Sequence, residues 1–137
     1  MKNRTISVII PTCDRINKLK LAINNVKNQS TKVNEIIIVN NGKKKINKDK
    51  LPKLKYLKLY NIKSYVGASK ARNFGLKKNK SSYVAFHDDD DLWNKNYISN
   101  FINNINKKFD CYLGISKSYK KNRLVLYKNA TNKLSLK

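Results

Sequence analysis

The amino-acid sequence predicts an α/β fold with a mainly parallel central sheet flanked by helices. Two short apolar runs, residues 6–10 and 35–39, are rich in β-branched residues, and a stretch with helical spacing separates them. Such runs are typical of strands buried on both faces. A strand–helix–strand order forms a right-handed unit with parallel strands. At 137 residues the chain can enclose one core, so we predict a single domain over residues 1–137.

Local patterns define the elements of the first half. Pro11 is expected to end the first strand, and Asp14 is expected to cap the helix that follows. A turn sequence at residues 40–42 closes the second strand, residues 43–53 form a loop with at most one weak helical turn, and residues 54–60 form a third strand. The first helix is indicated by apolar side chains at three- and four-residue steps: Ile16, Leu19, Ala22, Ile23 and Val26.

The second half continues the alternation of strands and helices. A helix is predicted over residues 68–78 and a fourth strand over 83–86. Asn94 is expected to cap a further helix, and residues 111–119 and 123–127 predict a C-terminal β-hairpin followed by a polar tail. The apolar face of the last helix consists of Tyr97, Ile98, Phe101, Ile102 and Ile105.

The net charge of +23 is extreme for this length. Only four of the 31 basic residues are arginine, and the lysines are scattered without interleaved aromatic residues. This pattern indicates compositional bias and a solvated surface more than specific polyanion binding, which favours arginine. A basic nucleic-acid-binding domain is therefore kept only as an alternative. The sequence has neither a long apolar run nor a signal-peptide pattern, which predicts a cytoplasmic protein.

Half of the eight acidic residues stand together as Asp88, Asp89, Asp90 and Asp91, directly after the fourth predicted strand. Adjacent carboxylates repel one another and destabilise a fold unless a cation or several donors neutralise them. Mg²⁺ and Mn²⁺ bind through one or two carboxylates plus substrate phosphates. Because ligands of open α/β sheets bind beyond the carboxyl ends of the strands, the cluster predicts a divalent-metal site. An acidic turn that only precedes the next helix is the structural alternative.

Other strand ends carry complementary groups. Residues 11–14 follow the first strand and residues 40–42 the second, so both are expected at the same edge as the aspartates. Gly67 stands before a helix whose first turns carry Lys70 and Arg72, an arrangement that suits a phosphate. A turn glycine explains Gly67 equally well, and the Gly-Lys-Ser/Thr ending of a P-loop is missing.

Four segments, residues 7–12, 35–42, 67–75 and 83–93, resemble family 2 glycosyltransferases in order and spacing. The resemblance covers about residues 5–95. It implies a Rossmann-like GT-A fold, here truncated or minimal, and a glycosyltransferase that acts with inversion. The implied donor is a nucleotide-diphospho-sugar, and the implied acceptor is a glycan or a lipid-linked molecule.

The resemblance also implies the site residues. Asp88 and Asp90 match the two aspartates of the family's D-x-D motif, with Asp88 near the donor ribose and both as candidate ligands of Mn²⁺ or Mg²⁺. By the same carry-over, the nucleotide-sugar pocket is expected to contain Pro11, Thr12, Asp14, Asn41, Lys70, Arg72, Asp88, Asp89 and Trp93.

Two departures from the family pattern leave alternatives open. Asn40 and Asn41 replace aspartates that usually follow the second strand, so base preference is expected to differ. Only 46 residues follow Asp91, where the family's acceptor half and general base normally lie. Asp91 and Asp110 are the candidates for that base. The alternative is a catalytically incomplete nucleotide-sugar-binding module. The basic surface also suggests peripheral contact with an anionic membrane at its inner face.

Overall fold

The computed structural model describes residues 4–105, 117–120 and 123–126. The chain divides into two compact units, Met1–Asn104 and Ile105–Lys137, which are described separately here; a single domain remains a prediction. The elements of the first unit are β1 (Ile6–Thr12), α1 (Ile16–Lys27), β2 (Glu35–Asn40), a 3₁₀ turn (Lys48–Lys50), β3 (Leu57–Asn61), α2 (Ala68–Lys78), β4 (Tyr83–Phe86) and α3 (Tyr97–Asn104).

The four strands of the first unit form one parallel sheet in the order β3-β2-β1-β4. Strands β1 and β2 run side by side from the pair Ser7–Glu35 to the pair Thr12–Asn40. The α/β class and the parallel sheet are therefore confirmed. Because all four strands run in one direction, their carboxyl ends meet at a single edge, where the polar segments of the sequence follow them.

The core lies on both faces of the sheet, since alternate side chains of a strand point to opposite faces. Ile10 packs on one face, in a cluster that includes Leu19 of α1 and Ile98 of α3. Ile9 packs on the other face with Ala71 of α2. All residues of β1 and β2 are buried, which explains why these strands are continuous apolar runs in the sequence.

Strand β1 continues through Pro11, where the sequence pattern had ended it. The pairing of β1 with β4 stops at Ile9, whereas its pairing with β2 runs on to Thr12. The carbonyl of Thr12 accepts a hydrogen bond from Asn41 on the β2 side. Because successive residues of a strand hydrogen-bond to opposite sides, the missing N–H of Pro11 faces the side that β4 no longer borders. Proline is tolerated at such an edge.

Two other boundaries show how well local patterns predict the elements. The weak helical turn expected in the lysine-rich loop is present as the 3₁₀ turn Lys48–Lys50. Strand β3 begins at Leu57, three residues later than predicted. The N–H of Leu57 donates to the carbonyl of Leu54, so the intervening residues form a turn.

Two short strands are described in the second unit. Strand β5 (Lys117–Lys120) pairs antiparallel with β6 (Arg123–Leu126), with Lys117 opposite Leu126. The remaining residues of the predicted hairpin, together with the polar tail, lie outside the described residues. Over the part of the chain that the structure describes, no helix is long and apolar enough to cross a membrane.

Replacing Gly75 with Ala is expected to destabilise the protein. A Cβ at Gly75 would lie 2.6 Å from Cγ2 of Ile9, which is fully buried and stiff at χ1. Such a clash costs about 2–3 kcal/mol, the upper part of the usual range for overpacking. The helix preference of alanine offsets only about 1 kcal/mol of this. Urea unfolding measures the change, and an unaltered midpoint would contradict the close helix–sheet contact. Leu76→Ala, at an exposed position next along α2, is the control and should change stability by less than about 0.5 kcal/mol.

Candidate functional site

A cleft of about 330 Å³ opens at the carboxyl edge of the sheet. This volume lies within the range of small-molecule sites. The wall is built from the ends of β1, β2 and β4 and from the segment that enters α2. The lining residues are Pro11, Thr12, Cys13, Arg15, Asn41, Tyr65, Gly67, Ala68, Arg72, Asp88 and Asp90. Five residues expected in the nucleotide-sugar pocket are thus brought together, Pro11, Thr12, Asn41, Arg72 and Asp88, along with Asp90, which was expected as a metal ligand.

Arginine and lysine side chains neutralise the two aspartates that line the cleft. Arg72 forms an ion pair with Asp88. Arg15 Nη1 lies 3.0 Å from Oδ2 of Asp90, and Lys18 Nζ lies 3.9 Å from the same oxygen. The repulsion within the acidic cluster is therefore relieved by cations from α2 and from the start of α1.

Asp89 lies between Asp88 and Asp90 in sequence, and its side chain is fully buried. Its Oδ2 accepts hydrogen bonds from Thr12 Oγ1 at 2.6 Å and from Arg15 Nε at 3.2 Å. Its Oδ1 lies 2.6 Å from Arg15 Nη2, an ion pair without hydrogen-bond geometry. Asp89 thus joins the end of β1 to the end of β4. Asp89 is not among the residues that line the cleft, and its direct contact with a donor stays a prediction.

Asp88 and Asp90 suit a hard divalent cation. Their side chains are 43% and 44% exposed, and both line the cleft. Exposed ion pairs contribute only about 0–1 kcal/mol, so a metal ion can displace the arginine partners. Among the described residues, no group of three or more His, Cys, Asp or Glu side chains is placed to hold a metal. A metal here would therefore complete its shell with phosphate or water oxygens, as Mg²⁺ commonly does.

Asp14 does not cap α1, contrary to the sequence prediction. Arg15 occupies the cap position, and its side chain makes no capping hydrogen bond. The backbone of Asp14 is left-handed, with φ of 54°. Its carboxylate accepts hydrogen bonds from the amides of Lys43 and Lys44 and from Tyr65 Oη. Asp14 thus ties three loops together, beside the cleft and not in its lining.

The loop after β2 can approach Asp14 this closely because it contains Gly42. A Cβ at Gly42 would lie 2.5 Å from Oδ1 of Asp14, so a side chain would push the carboxylate away. The two amide hydrogen bonds and the tyrosine hydroxyl favour the charged form of the carboxylate and lower the pKa of Asp14 below its ordinary value of 3.8.

Asn41 lines the cleft but is buried. In the orientation that satisfies its amide, Nδ2 donates to the carbonyl of Thr12 at 2.8 Å, and Oδ1 accepts from the N–H of Gly67 at 3.1 Å. The amide that was expected to face a nucleotide base is therefore engaged with the backbone of β1 and of the loop before α2.

Besides Asp14 and Asp89, two further predicted pocket residues do not line the cleft. Lys70 is an exposed residue of α2. Trp93 lines a second, separate cleft of about 880 Å³ beside the end of α1. Its ring stacks on Tyr97 at 4.4 Å and lies 4.4 Å from His87. The backbone of Trp93 is held there by the side-chain amide of Asn25, whose Nδ2 donates to the Trp93 carbonyl and whose Oδ1 accepts from the Trp93 backbone N–H.

His87 and Asp91, a candidate base, differ in their surroundings. His87 is buried, and its ring nitrogens contact the carbonyl of Asp88 and Oδ1 of Asn25; burial lowers the pKa of His87. Asp91 is exposed, and partial desolvation together with the charge of Asp88 raises the pKa of its carboxyl. Asp91 is not part of the cleft lining, and Asp110 lies outside the described residues.

Sequence reasoning missed Arg15 and Tyr65. Arg15 is one of only four arginines among 31 basic residues, and it contacts two of the four clustered aspartates. That scarcity was the available signal, because an arginine kept in a lysine-biased chain suggests a planar, bidentate partner. No comparable pattern marks Tyr65.

Replacing Asp14 with Asn is expected to remove an acid-sensitive part of the stability. A carboxyl with a lowered pKa in the folded state stabilises above its unfolded pKa of about 4, and this contribution is lost as pH falls through the folded value. The parent should therefore lose stability below pH 4 more steeply than Asp14→Asn. Thermal unfolding from pH 7 to 2.5 measures both slopes, with Asp49→Asn in the 3₁₀ turn as control. Equal acid slopes for parent and Asp14→Asn would contradict the prediction.

The family model "Glycosyl transferase family 2" matches residues 7–135. A glycosyltransferase of Rickettsia bellii is 36% identical over 98 residues, which cover 68% of this chain and 14% of that protein. One of Rickettsia typhi is 36% identical over 104 residues, covering 74% of this chain and 32% of that protein. The chain thus spans less than a third of the length of these relatives.

Solved structures with the same fold include the crystal structure of residues 1–349 of Staphylococcus aureus TarS. It is 25% identical, with a TM-score of 0.56 over 72% of this chain and 31% of that one. Its complex with UDP-GlcNAc has a TM-score of 0.59 at 23% identity, over 72% of this chain and 30% of that one. The mannosyltransferase PcManGT from Pyrobaculum calidifontis, in complex with GDP-Man and Mn²⁺, has a TM-score of 0.51 at 19% identity. The match covers 64% of this chain and 28% of that one. With the match over residues 7–135, these findings show that the chain belongs to glycosyl transferase family 2.

Proposed function

We propose that this chain binds a nucleotide-diphospho-sugar and forms the donor half of a metal-dependent, inverting glycosyltransferase. The observation that carries the proposal is the cleft at the carboxyl edge of the sheet. There Asp88 and Asp90 expose two carboxylates beside the guanidinium groups of Arg15 and Arg72. A diphosphate and its counter-cation need this combination of charges.

Arg72 and the N-terminus of α2 suit the diphosphate. A guanidinium group binds phosphate oxygens through two parallel hydrogen bonds. The first amides of an 11-residue helix add partial positive charge at Gly67 and Ala68, which line the cleft. Asp88 and Asp90 would hold Mn²⁺ or Mg²⁺. When bound, such an ion stabilises negative charge on the departing diphosphate. UDP, UDP-GlcNAc and GDP-Man with Mn²⁺ are ligands of the structurally similar proteins.

An inverting transfer forms one bond and breaks another at the anomeric carbon. The acceptor oxygen attacks, the bond to the diphosphate oxygen breaks, and the acceptor's proton passes to a base. Among the described residues that line the cleft, the carboxylates belong to Asp88 and Asp90. The base therefore comes from outside this lining, and Asp91 and Asp110 are its candidates.

The absence of a further carboxylate among the described lining residues favours a second candidate function. In it the chain binds the donor without transferring the sugar, as a catalytically incomplete module. The acceptor in the first case is a glycan or a lipid-linked molecule. Exposed lysines such as Lys43, Lys44 and Lys45 would then support peripheral contact with an anionic membrane at its inner face, at about 1 kcal/mol per residue close to the surface. No nucleic-acid partner is expected.

Calorimetry with UDP, GDP, UDP-GlcNAc and GDP-mannose, with and without Mn²⁺, tests the proposal. We expect nucleotide binding that Mn²⁺ strengthens. Transfer to added acceptors should be slow compared with ordinary turnover of about 1–10³ per second, because the described cleft lining offers no carboxylate besides Asp88 and Asp90 to accept the acceptor's proton. Binding without any transfer would favour the incomplete module. No binding of any nucleotide, with or without Mn²⁺, would refute both functions.

A further inference from the structure

Tyr65 is an aromatic side chain presented openly in the cleft. It is 64% exposed and lines the same wall as Asn41 and Gly67. Its backbone is left-handed, with φ of 55°, a conformation that bulky residues rarely adopt. An exposed ring on such a backbone gains little from packing, which suggests that it serves a ligand.

Hydrogen bonds fix both ends of this side chain. The N–H of Tyr65 donates to the carbonyl of Asn41 at 2.6 Å. Its Oη donates to Oδ2 of Asp14 at 3.0 Å, and Asp14 is itself held by the amides of Lys43 and Lys44. A ring anchored in this way loses little freedom when a flat ligand stacks on it, which lowers the entropic cost of binding.

The position of Tyr65 separates it from the charged part of the cleft. Its bond to Asn41 places its backbone at the end of β2, whereas Asp88 and Asp90 follow β4, two strands away. At a spacing of about 4.8 Å between strands, this is roughly 10 Å. The diphosphate and metal require the charged side. The Tyr65 end of the cleft, farther from Asp88 and Asp90, remains for the uncharged end of the ligand.

We propose that the ring of Tyr65 is the platform on which the nucleobase of the donor stacks. This inference rests on the proposed donor-binding function. It also replaces the role expected for Asn41, whose amide is engaged with Thr12 and Gly67. Every base offers a flat π-face, so stacking supplies affinity without strict base selection. Tyr65 then contributes to the affinity for the nucleotide, and Asn41 positions the loop that carries Tyr65.

The test compares UDP and GDP with inorganic pyrophosphate, all with Mn²⁺, on the full chain. Tyr65→Ala should weaken nucleotide binding by roughly 5- to 150-fold and change pyrophosphate binding less than about twofold. Tyr65→Phe keeps the ring and should retain most nucleotide affinity. Leu21→Ala, at an equally exposed position of α1, is the matched control. In NMR spectra of the bound nucleotide, ring-current shifts of the base protons should persist in Tyr65→Phe and disappear in Tyr65→Ala.

Three outcomes overturn this inference. Nucleotide binding by Tyr65→Ala equal to that of the parent removes Tyr65 from the base site while donor binding stands. Equal losses of nucleotide and pyrophosphate indicate a general collapse of the cleft. A parent chain that binds no nucleotide overturns the proposed function together with the inference.

Discussion

Asp90→Asn is expected to abolish the effect of Mn²⁺ on nucleotide binding. Asp90 is one of two exposed carboxylates in the cleft. The variant replaces its charge by a neutral amide oxygen. Removing a full charge in contact with a divalent ion costs more than about 1.4 kcal/mol, which corresponds to at least about tenfold in metal affinity. Calorimetry of Mn²⁺ with UDP or GDP present measures this loss directly.

The ion pair between Arg15 and Asp90 gives this experiment a second expected result, in the absence of metal. Asp90→Asn removes the ionic partner of Arg15 Nη1, which can then bind a phosphate, while the rest of the guanidinium stays on Asp89. Metal-free nucleotide binding should therefore change little or strengthen while the metal-dependent part disappears. Asp49→Asn removes an exposed carboxylate from the 3₁₀ turn and serves as the control. If Asp90→Asn binds Mn²⁺ and nucleotide as tightly as the parent does, the metal site lies elsewhere.

Asp89→Ala is expected to have the largest effect on stability. The buried carboxylate accepts hydrogen bonds from Thr12 and Arg15, and its loss leaves the buried hydroxyl of Thr12 without this acceptor. Hydrogen bonds to charged groups contribute about 1.5–3 kcal/mol. The cost of unpairing Arg15 is smaller, because its side chain is 43% exposed and can return to water. We expect a loss of about 1.5–3 kcal/mol in the free energy of unfolding, measured by urea denaturation.

Asp89→Asn is the matched comparison for that experiment. It keeps the shape and one acceptor oxygen, so it should lose less stability than Asp89→Ala. Both variants should also weaken nucleotide binding, because Thr12 and Arg15 line the cleft. A midpoint for Asp89→Ala equal to that of the parent would show that the contact between β1 and β4 contributes nothing to stability.

Much of the fold could be predicted from the sequence because its signals are local. The apolar runs of β1 and β2 and the spacing of Leu19 and Ile23 in α1 identify elements without knowledge of their partners. The errors arose where a local pattern was read without its tertiary surroundings. Pro11 reads as the end of a strand, yet it is accommodated because β4 stops beside Ile9, which no short stretch of sequence reveals.

The place of the site was likewise predictable, because parallel strands bring their carboxyl ends to one edge. The roles of single side chains were not. Asp14 reads as a helix cap but binds the loop after β2, and Trp93 reads as a pocket residue but stacks on Tyr97. The amides that bind Asp14, and the Asn25 side chain that holds the backbone of Trp93, are distant in sequence and are brought there by loop geometry.

The sequence by itself determined a parallel α/β sheet with four aspartates at the end of β4. The order of elements along the chain, the apolar periodicity and the clustered charge are all properties of residues that are neighbours in sequence. The hydrophobic effect buries the apolar residues whatever the course of the loops between them. Only the tertiary structure decided that Asp89 is buried against Thr12 and Arg15 while the side chains of Asp88 and Asp90 stay partly exposed in the cleft. Identical carboxylates in adjacent positions differ there because burial and ion pairing depend on the distances between loops. These interactions weaken within a few ångströms, and the packed sheet sets the distances.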